Sequence, residues 1–166
     1  MFNEWLDEDI IEQVNEADLD SENCHYLPHR AVVKESSTTK IRPVFDASAK
    51  VNGGISLNDG LEKGPNLIEL IPSILNRFRL KKYGVTSDIR KAFLQISINM
   101  NDRDHLRFLW WEEGNPEKLK VYRHKRVVFG LSTSPFLLAA TLKYHLDHAP
   151  ESLLKVSQKL KESMYV

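Results

Sequence analysis

The chain has 166 residues, of which 42% are hydrophobic and 28% are charged, and this composition is typical of a folded domain rather than a disordered segment. A single cysteine, Cys24, excludes an internal disulfide framework, and no apolar run approaches the roughly 18–20 residues that a membrane span requires. The acidic N-terminus resembles neither a secretory signal nor an Arg-rich transit peptide. We therefore expect a soluble protein of a reducing compartment, with no membrane partner.

The charges are unevenly distributed along the chain. Lys and Arg total 23 and Asp and Glu also total 23, but residues 1–24 hold nine acids and no Lys or Arg. The remainder is basic, and a basic surface of this kind suits a polyanionic partner such as a nucleic acid.

The first half of the chain predicts a helix followed by a hairpin. Apolar residues recur at helical spacing over residues 2–17 and indicate an amphipathic helix whose Trp5/Leu6/Ile10 face packs on the rest of the molecule. Residues 31–34 and 40–46 are β-prone runs joined by small polar residues, which is typical of a hairpin. Pro43 confines its strand to an edge or a bulge.

The middle of the chain predicts a helix and a buried strand. Residues 67–80 repeat apolar positions at helical spacing, and Pro72 either kinks this helix or begins a second one. Residues 83–89 predict a buried strand, followed by a turn at 90–93 and an extended piece at 94–98.

The last third predicts a second hairpin and two helices. Residues 106–111 and 120–128 flank a Gly-Asn-Pro turn. A helix over residues 136–146 follows, with Ser134 as its N-cap and Pro135 as its first helical residue. We expect a final helix over 151–163 and the start of a strand at 164–166.

Three stretches contain residues that could carry chemistry. Asp88 ends an apolar run, and a carboxylate in that position can bind Mg²⁺, although this segment alone favours an exposed turn aspartate. Gly130 permits close approach of a planar group, or it belongs to a tight loop with no ligand. Lys34 and Arg42 lie on the two sides of the first hairpin, where they could reach triphosphate oxygens or serve as common surface cations.

Taken together, several collinear motifs resemble the reverse transcriptases of BEL/Pao-type LTR retrotransposons. The longest is the run HYLPHRAVVKESSTTKIRPVFDASA at residues 25–49. Shorter motifs are SLND at 56–59, GPN at 64–66, TSDIRKAF at 86–93 and FGLSTSPF at 129–136. The resemblance covers essentially the whole chain and implies an α+β fold that is part of a right-hand polymerase.

The resemblance also implies roles for individual residues. Asp88 would be the first catalytic aspartate of the palm and would hold Mg²⁺ together with the backbone carbonyl of Ile89. Lys34 and Arg42 would grip the triphosphate of a dNTP from the fingers.

Three further positions would contact the nucleotide. Phe93 would lie beneath the incoming sugar and exclude a 2′-hydroxyl, with core packing as its bland alternative. Phe129 and Gly130 would support the nucleotide and the template base.

In domain terms, the resemblance implies a partial reverse transcriptase domain. The fingers would span about 1–83 and 101–128, and palm pieces would span 84–100 and 129–166. The partners would be an RNA or DNA template–primer, dNTPs and the remainder of the retrotransposon polyprotein, in the cytosol or a virus-like particle of the cytoplasm.

The template–primer surface would be basic and sequence-blind, without any one contact being identified. Its candidate residues are Arg77, Arg79, Lys81, Lys82, Arg90, Lys91, Arg103, Arg107, Lys118, Lys120, Arg123, Lys125 and Arg126.

One departure from the family pattern concerns catalysis. The third palm motif of the family reads Tyr-Val-Asp-Asp or Tyr-Val-Asp-Asn, and this sequence stops at Tyr165-Val166. The thumb, connection, RNase H and integrase regions are absent as well. Asp88 alone cannot hold two Mg²⁺ ions, and Asp46, Asp102, Asp104 and Asp147 match no metal position of the family. We therefore expect a fragment of an RNA-directed DNA polymerase that is inactive alone.

Other interpretations stay open at this point. The chain could be a non-catalytic nucleic-acid-binding relic of the element, or a pseudogene product with no role. A structural zinc site built from Cys24, His25 and His29 fits poorly, because such sites use paired ligands at regular spacing.

Overall fold

The structure is a computed structural model that describes residues 1–33, 41–67, 71–112 and 115–165, with the side chain of Pro116 left aside. It mixes helices with two small antiparallel sheets. This arrangement confirms the α+β class, whereas the polymerase architecture and the division into fingers and palm stay predictions.

The larger sheet joins the N-terminus to the centre of the chain. Its strand order is β1 (Ile11–Gln13), β5 (Asn115–His124), β4 (Arg107–Glu112), and both pairings are antiparallel. The register places Ile11 opposite His124. The hairpin of β4 and β5 was therefore predicted correctly, although β5 begins earlier and ends sooner than the sequence pattern indicated.

The smaller sheet is the first hairpin. It consists of β2 (His29–Val33) and β3 (Ile41–Phe45), and Pro43 lies opposite Ala31. A two-stranded sheet has only edges, so Pro43 occupies the kind of strand that tolerates a missing N–H. Residues 34–40, which include Lys34, lie outside the described residues.

Five α-helices complete the described structure. They are α1 (Phe2–Asp7), α2 (Leu57–Gly60), α3 (Ile71–Phe78), α4 (Ser134–Asp147) and α5 (Leu154–Lys161). Short 3₁₀ turns lie at Glu16–Asp18, Phe93–Gln95, Met100–Leu106 and Glu151–Leu153.

The start of α4 differs by one residue from the predicted cap. Thr133 is the N-cap, and the Oγ of Ser134 instead donates a hydrogen bond to the carbonyl of Val128 at 2.6 Å. This bond ties the first turn of α4 to the preceding loop.

The core is a cluster of aromatic rings between the two sheets. Phe45 packs edge-on against the ring of His124 at 4.5 Å and against Phe108 at 5.1 Å, and Phe2 packs on Phe108 at 5.2 Å. The ring of His29 joins the same cluster. The hairpin β2–β3, helix α1 and the larger sheet therefore share one apolar centre.

His124 is an unusual member of this core. Its side chain is fully buried, and neither ring nitrogen has a hydrogen-bond partner among the described residues. Burial lowers the pKa of His124 to about 3, and the nearby His29 adds to the effect. The imidazole is therefore neutral and behaves as an aromatic core residue.

The predicted helix over residues 2–17 is wrong beyond residue 7. Asp9 adopts a left-handed backbone conformation, with φ of 58°, and the chain then turns to form β1. The edge of β5 offers backbone partners that an isolated helix would not use, and Ile11 in β1 is buried together with the flanking Ile10 and Val14. Leu6 is 37% exposed, so the apolar stripe is only partly buried.

The predicted buried strand over residues 83–89 is also wrong. This segment has no regular secondary structure, and Tyr83 and Val85 are 79% and 88% exposed. A strand needs a neighbour for its backbone groups, and no described segment pairs with this one.

The two other predicted extended segments are not regular strands either. Within residues 94–98, Ser97 alone makes a bridge, to Arg126, and residues 93–95 form a 3₁₀ turn. Met164 and Tyr165 are not in a strand, and Val166 is outside the described residues.

A search of the described residues finds no helix that is both long enough and apolar enough to cross a membrane.

Candidate functional site

The loop at Phe129 and Gly130 is held in place by two distant segments of the chain. Asn58, on α2, donates from Nδ2 to the carbonyl of Gly130 at 2.9 Å and accepts from the backbone N–H of Ser132 at 2.8 Å. Gly130 has φ of +101°, and a Cβ built on it would lie 2.6 Å from the carbonyl oxygen of Phe45. Only glycine therefore fits between β3 and this loop.

The side chain that organises this loop is itself fixed by a capping box. Ser56 caps α2 and accepts from the N–H of Asp59, whose carboxylate accepts from the N–H of Ser56. Asn58 follows within the same turn, and its backbone N–H donates to Ala47 at 3.0 Å. The pKa of the Asp59 carboxyl is lowered by these Ser56 hydrogen bonds and by nearby Lys50. The SLND motif at 56–59 was part of the family resemblance, but no role was predicted for Asn58.

A second contact connects the loop to the segment that follows Asp88. The rings of Phe93 and Phe129 meet edge to face, with centroids 4.6 Å apart and planes at 82°. Phe129 is nevertheless 66% exposed, so the pair forms part of the surface. The structure therefore brings together three of the predicted site residues, namely Phe93, Phe129 and Gly130.

The GPN motif meets the same region from another side. Gly64 has φ of +71°, and a Cβ placed there would lie 2.4 Å from the ring of Phe136 in the first turn of α4. The loop before α3 thus lies directly on the helix that follows the Gly130 loop.

Asp88 and Ile89 lie in the exposed irregular segment. The carboxylate of Asp88 is exposed, and Ile89 is 44% exposed. Across the part of the chain that the structure describes, no group of three or more His, Cys, Asp or Glu side chains is placed to hold a metal ion. Octahedral magnesium takes six oxygen ligands, usually one or two carboxylates with phosphates and water. Asp88 and one carbonyl therefore do not form a two-magnesium site.

Arg42 lies on β3, three residues before Phe45, and its side chain is exposed. Residues three apart on a strand point to opposite faces and are about 10 Å apart along it. Arg42 is therefore on the strand that contacts Gly130, and its side chain is on the face opposite to that of the Phe45 side chain. Its predicted partner Lys34 falls outside the described residues.

Most of the predicted basic surface is engaged within the protein. Glu12 lies 2.7 Å from Arg123 and 3.2 Å from Arg103, and Asp9 pairs with Lys125 and Arg126. The acids of the N-terminal segment therefore neutralise bases that the sequence analysis assigned to a nucleic acid. This pairing could have been predicted from the charge distribution, because residues 1–24 contain acids but no Lys or Arg, and the remainder of the chain is basic.

Among these internally engaged bases, Arg107 has a fully buried side chain. Its guanidinium donates to Asp104 at 2.9 Å and to the carbonyl of Asp18 at 2.6 Å. Burial raises the pKa of Asp104, but hydrogen bonds from Arg123 and Arg107 outweigh burial and hold it below its usual value. Arg107 is a structural residue and cannot reach a template.

The remaining basic residues lie mainly between α3 and Asp88. Arg79, Lys81 and Arg90 make no ion pair with any described residue, and Lys82 lies over the ring of Tyr83 at 5.6 Å. These exposed cations are the part of the predicted surface that is available to an anionic partner.

No protein-family model matches the chain, and no curated protein matches it significantly.

Proposed function

We propose that the chain is the nucleotide-binding and template-side portion of an RNA-directed DNA polymerase of the retrotransposon type. The observation that carries the proposal is the convergence of motif residues on the Gly130 loop. Phe45, Asn58 and Phe93 come from three other motifs, and all three contact this loop. Such convergence is expected if the motifs serve one binding site.

In this proposal the aromatic pair discriminates between sugars. Phe93 packs edge to face on Phe129, and this contact restricts where its ring can move. A ring held beneath the sugar of an incoming nucleotide leaves no room for a 2′-hydroxyl, so a dNTP binds better than an rNTP.

The proposal does not extend to catalysis by this chain alone. The intact polymerase would add a dNTP to a primer 3′-hydroxyl with the help of Mg²⁺. The described residues do not gather the carboxylates for that chemistry, so we derive no metal-dependent step. The lack of a carboxylate cluster among the described residues also favours the alternative function, a non-catalytic nucleic-acid-binding module.

Nucleotide binding by the wild-type chain tests the proposal directly. A fluorescent dNTP and the corresponding rNTP are titrated in the presence of MgCl₂. We expect tighter binding of the dNTP, and Phe93→Ala should reduce this preference several-fold because the steric restriction is removed. Phe78→Ala, which also removes a partly exposed ring but outside this loop, is the matched control. Equal affinity for the two nucleotides in the wild-type chain would contradict the proposal.

Primer extension separates the polymerase from the binding module. The chain is compared with a longer version that continues through a Tyr-Val-Asp-Asp motif. We expect extension by the longer version only, and Asp88→Ala in that version should abolish it. Extension that survives Asp88→Ala would reject the role of Asp88, and an inactive longer version that still binds oligonucleotides would favour the binding module.

A further inference from the structure

A cation-lined cavity lies between the N-terminal turn and the segment that follows Asp88. Its volume is about 320 Å³, which is at the lower end of the range for small-ligand pockets. Three cationic residues, Arg90, Lys91 and Arg126, line it, against a single acidic residue, Glu8. The cavity therefore carries a local excess of positive charge.

The three cations differ in how far they are already satisfied. Lys91 is bound by the carboxylate of Glu8. Arg126 donates to the Oγ of Ser97 at 2.6 Å and lies 3.6 Å from the carboxylate of Asp9. Arg90 makes no ion pair with a described residue, and its backbone carbonyl accepts from the side-chain amide of Gln95 at 3.4 Å. Arg90 is thus the lining cation that has no counter-charge among the described residues.

The backbone at Lys91 is strained. Its φ is +53°, in the left-handed region that residues other than glycine rarely adopt. Such strain persists only where the surroundings over-determine it, and it is concentrated at ligand-binding sites. The residue with this strained backbone, Lys91, is also the one whose side chain pairs with the carboxylate of Glu8.

We propose that this cavity binds a phosphate group, and that the carboxylate of Glu8 is an internal competitor that occupies Lys91 when phosphate is absent. A phosphate offers more acceptor oxygens and more negative charge than a carboxylate. It can take the fork of Arg90 and the ammonium of Lys91 at once. The site requires neither a metal nor Asp88, so it goes beyond the proposed polymerase function.

The phosphate could belong to the phosphoryl chain of a nucleotide or to the backbone of a nucleic-acid strand. Two probes distinguish these sources. Inorganic tripolyphosphate is titrated without Mg²⁺ by calorimetry, and a short fluorescein-labelled oligothymidine is titrated by fluorescence anisotropy. A nucleotide site responds to the first probe, and a strand site responds to the second.

Two pairs of variants test the inference. Glu8→Gln should tighten binding of at least one probe several-fold, and Arg90→Ala should weaken that binding about tenfold. Glu162→Gln, at the C-cap of α5, and Lys155→Ala, on α5, change the net charge by the same amounts, and they should have little effect.

The proposal would be overturned if Glu8→Gln tightened the binding of both probes no more than Glu162→Gln does. Misfolding can weaken binding but cannot tighten it. If Arg90→Ala does not fold, the tighter binding expected for Glu8→Gln therefore still tests the proposal. The sugar preference at Phe93 is measured separately, so failure of the cavity is distinguishable from failure of the proposed function.

Discussion

Gly130 illustrates how one residue type can be required by two independent constraints. Its φ of +101° is unfavourable for any side chain, and its Cβ position is blocked by the carbonyl of Phe45. Gly53 satisfies only the first constraint, because its φ is +79° but a Cβ there would meet no atom within 4 Å. The two glycines therefore separate backbone strain from steric exclusion.

We predict that Gly53→Ala costs about 1–2 kcal/mol of folding free energy, from backbone strain alone. Gly130→Ala should cost at least about 1 kcal/mol more, because the methyl group also forces β3 away from the loop. Urea denaturation of both variants measures the difference. Equal losses in the two variants would show that the loop moves freely away from β3.

His124 places a titratable ring where no solvent reaches it. Its pKa in the folded state is about 3, whereas the ordinary value for histidine is 6.5. Above pH 6.5 both states are neutral at this residue. As the pH falls from 6.5 towards 3, the unfolded chain takes up a proton that the folded chain does not. Stability is therefore lost at about 1.4 kcal/mol per pH unit in this window.

We predict that His124→Phe reduces this acid-induced loss of stability while keeping the aromatic contacts with Phe45 and Phe108. Unfolding free energies at pH 7 and pH 4.5 give the difference for wild type and variant. His145→Phe, at an exposed position, is the control, and a slope identical to that of wild type in His124→Phe would contradict the assigned pKa.

The resemblance to a polymerase family named Phe93, Phe129 and Gly130 as site residues; the structure places Phe93 beside Phe129, and the roles of all three stay predictions. The resemblance did not identify Asn58 as the clamp, because its effect depends on two hydrogen bonds to a loop more than seventy residues away. The burial of Arg107 and His124 was not predictable for a similar reason. Both are polar residues whose environment is formed by distant segments.

The segment over residues 83–89 shows the limit of periodicity as a signal. Its apolar residues alternate as in a half-buried strand, yet they are exposed in the structure. No amide of residues 84–89 donates to a backbone carbonyl of a described residue. Side-chain pattern indicates which face a strand would bury, but the strand forms only where a neighbouring backbone is present.

We predict that the amides of residues 85–89 exchange with solvent within seconds in this chain. Amides of β5 around Tyr122, which is buried between two strands, should exchange at least about a hundredfold more slowly. Hydrogen exchange followed by mass spectrometry of peptic peptides measures both. Protection of the 85–89 peptide comparable to that of β5 would show that the segment has a backbone partner.

The predicted secondary structure of the N-terminal segment was wrong for a related reason. Of the predicted packing face, Trp5 and Ile10 pack in the core, whereas Leu6 is 37% exposed. The secondary structure beyond residue 7 was wrong because β5 supplies an edge that no local pattern reveals. Burial was thus more predictable than the backbone conformation that achieves it.

Across the whole molecule, the distribution of ion pairs determines how strongly the chain can bind an anionic polymer. Bases that face the N-terminal acids are neutralised, whereas Lys81 and Lys82 are exposed and lie in an acid-free stretch from residue 71 to 87. Lys118 and Lys120 carry the same charges but both pair with Glu112. The two pairs of lysines are therefore matched in charge and different in availability.

We predict that Lys81→Ala/Lys82→Ala lowers the salt dependence of oligonucleotide binding. The slope of log K against log salt should fall in magnitude by about 1.4, the value for two single-strand phosphate contacts. Lys118→Ala/Lys120→Ala should leave the slope nearly unchanged. Affinities measured over a series of NaCl concentrations provide the slopes, and equal changes in both double variants would contradict this division of the surface.

The ion pair between Glu12 and Arg123 joins residues 111 positions apart in the chain. During translation, β1 therefore leaves the ribosome long before β5 exists, a delay of several seconds or more at about 5–20 residues per second. Throughout this interval β1 lacks the strand that pairs with it, and closing so long a loop makes the docking of β1 a late and slow event.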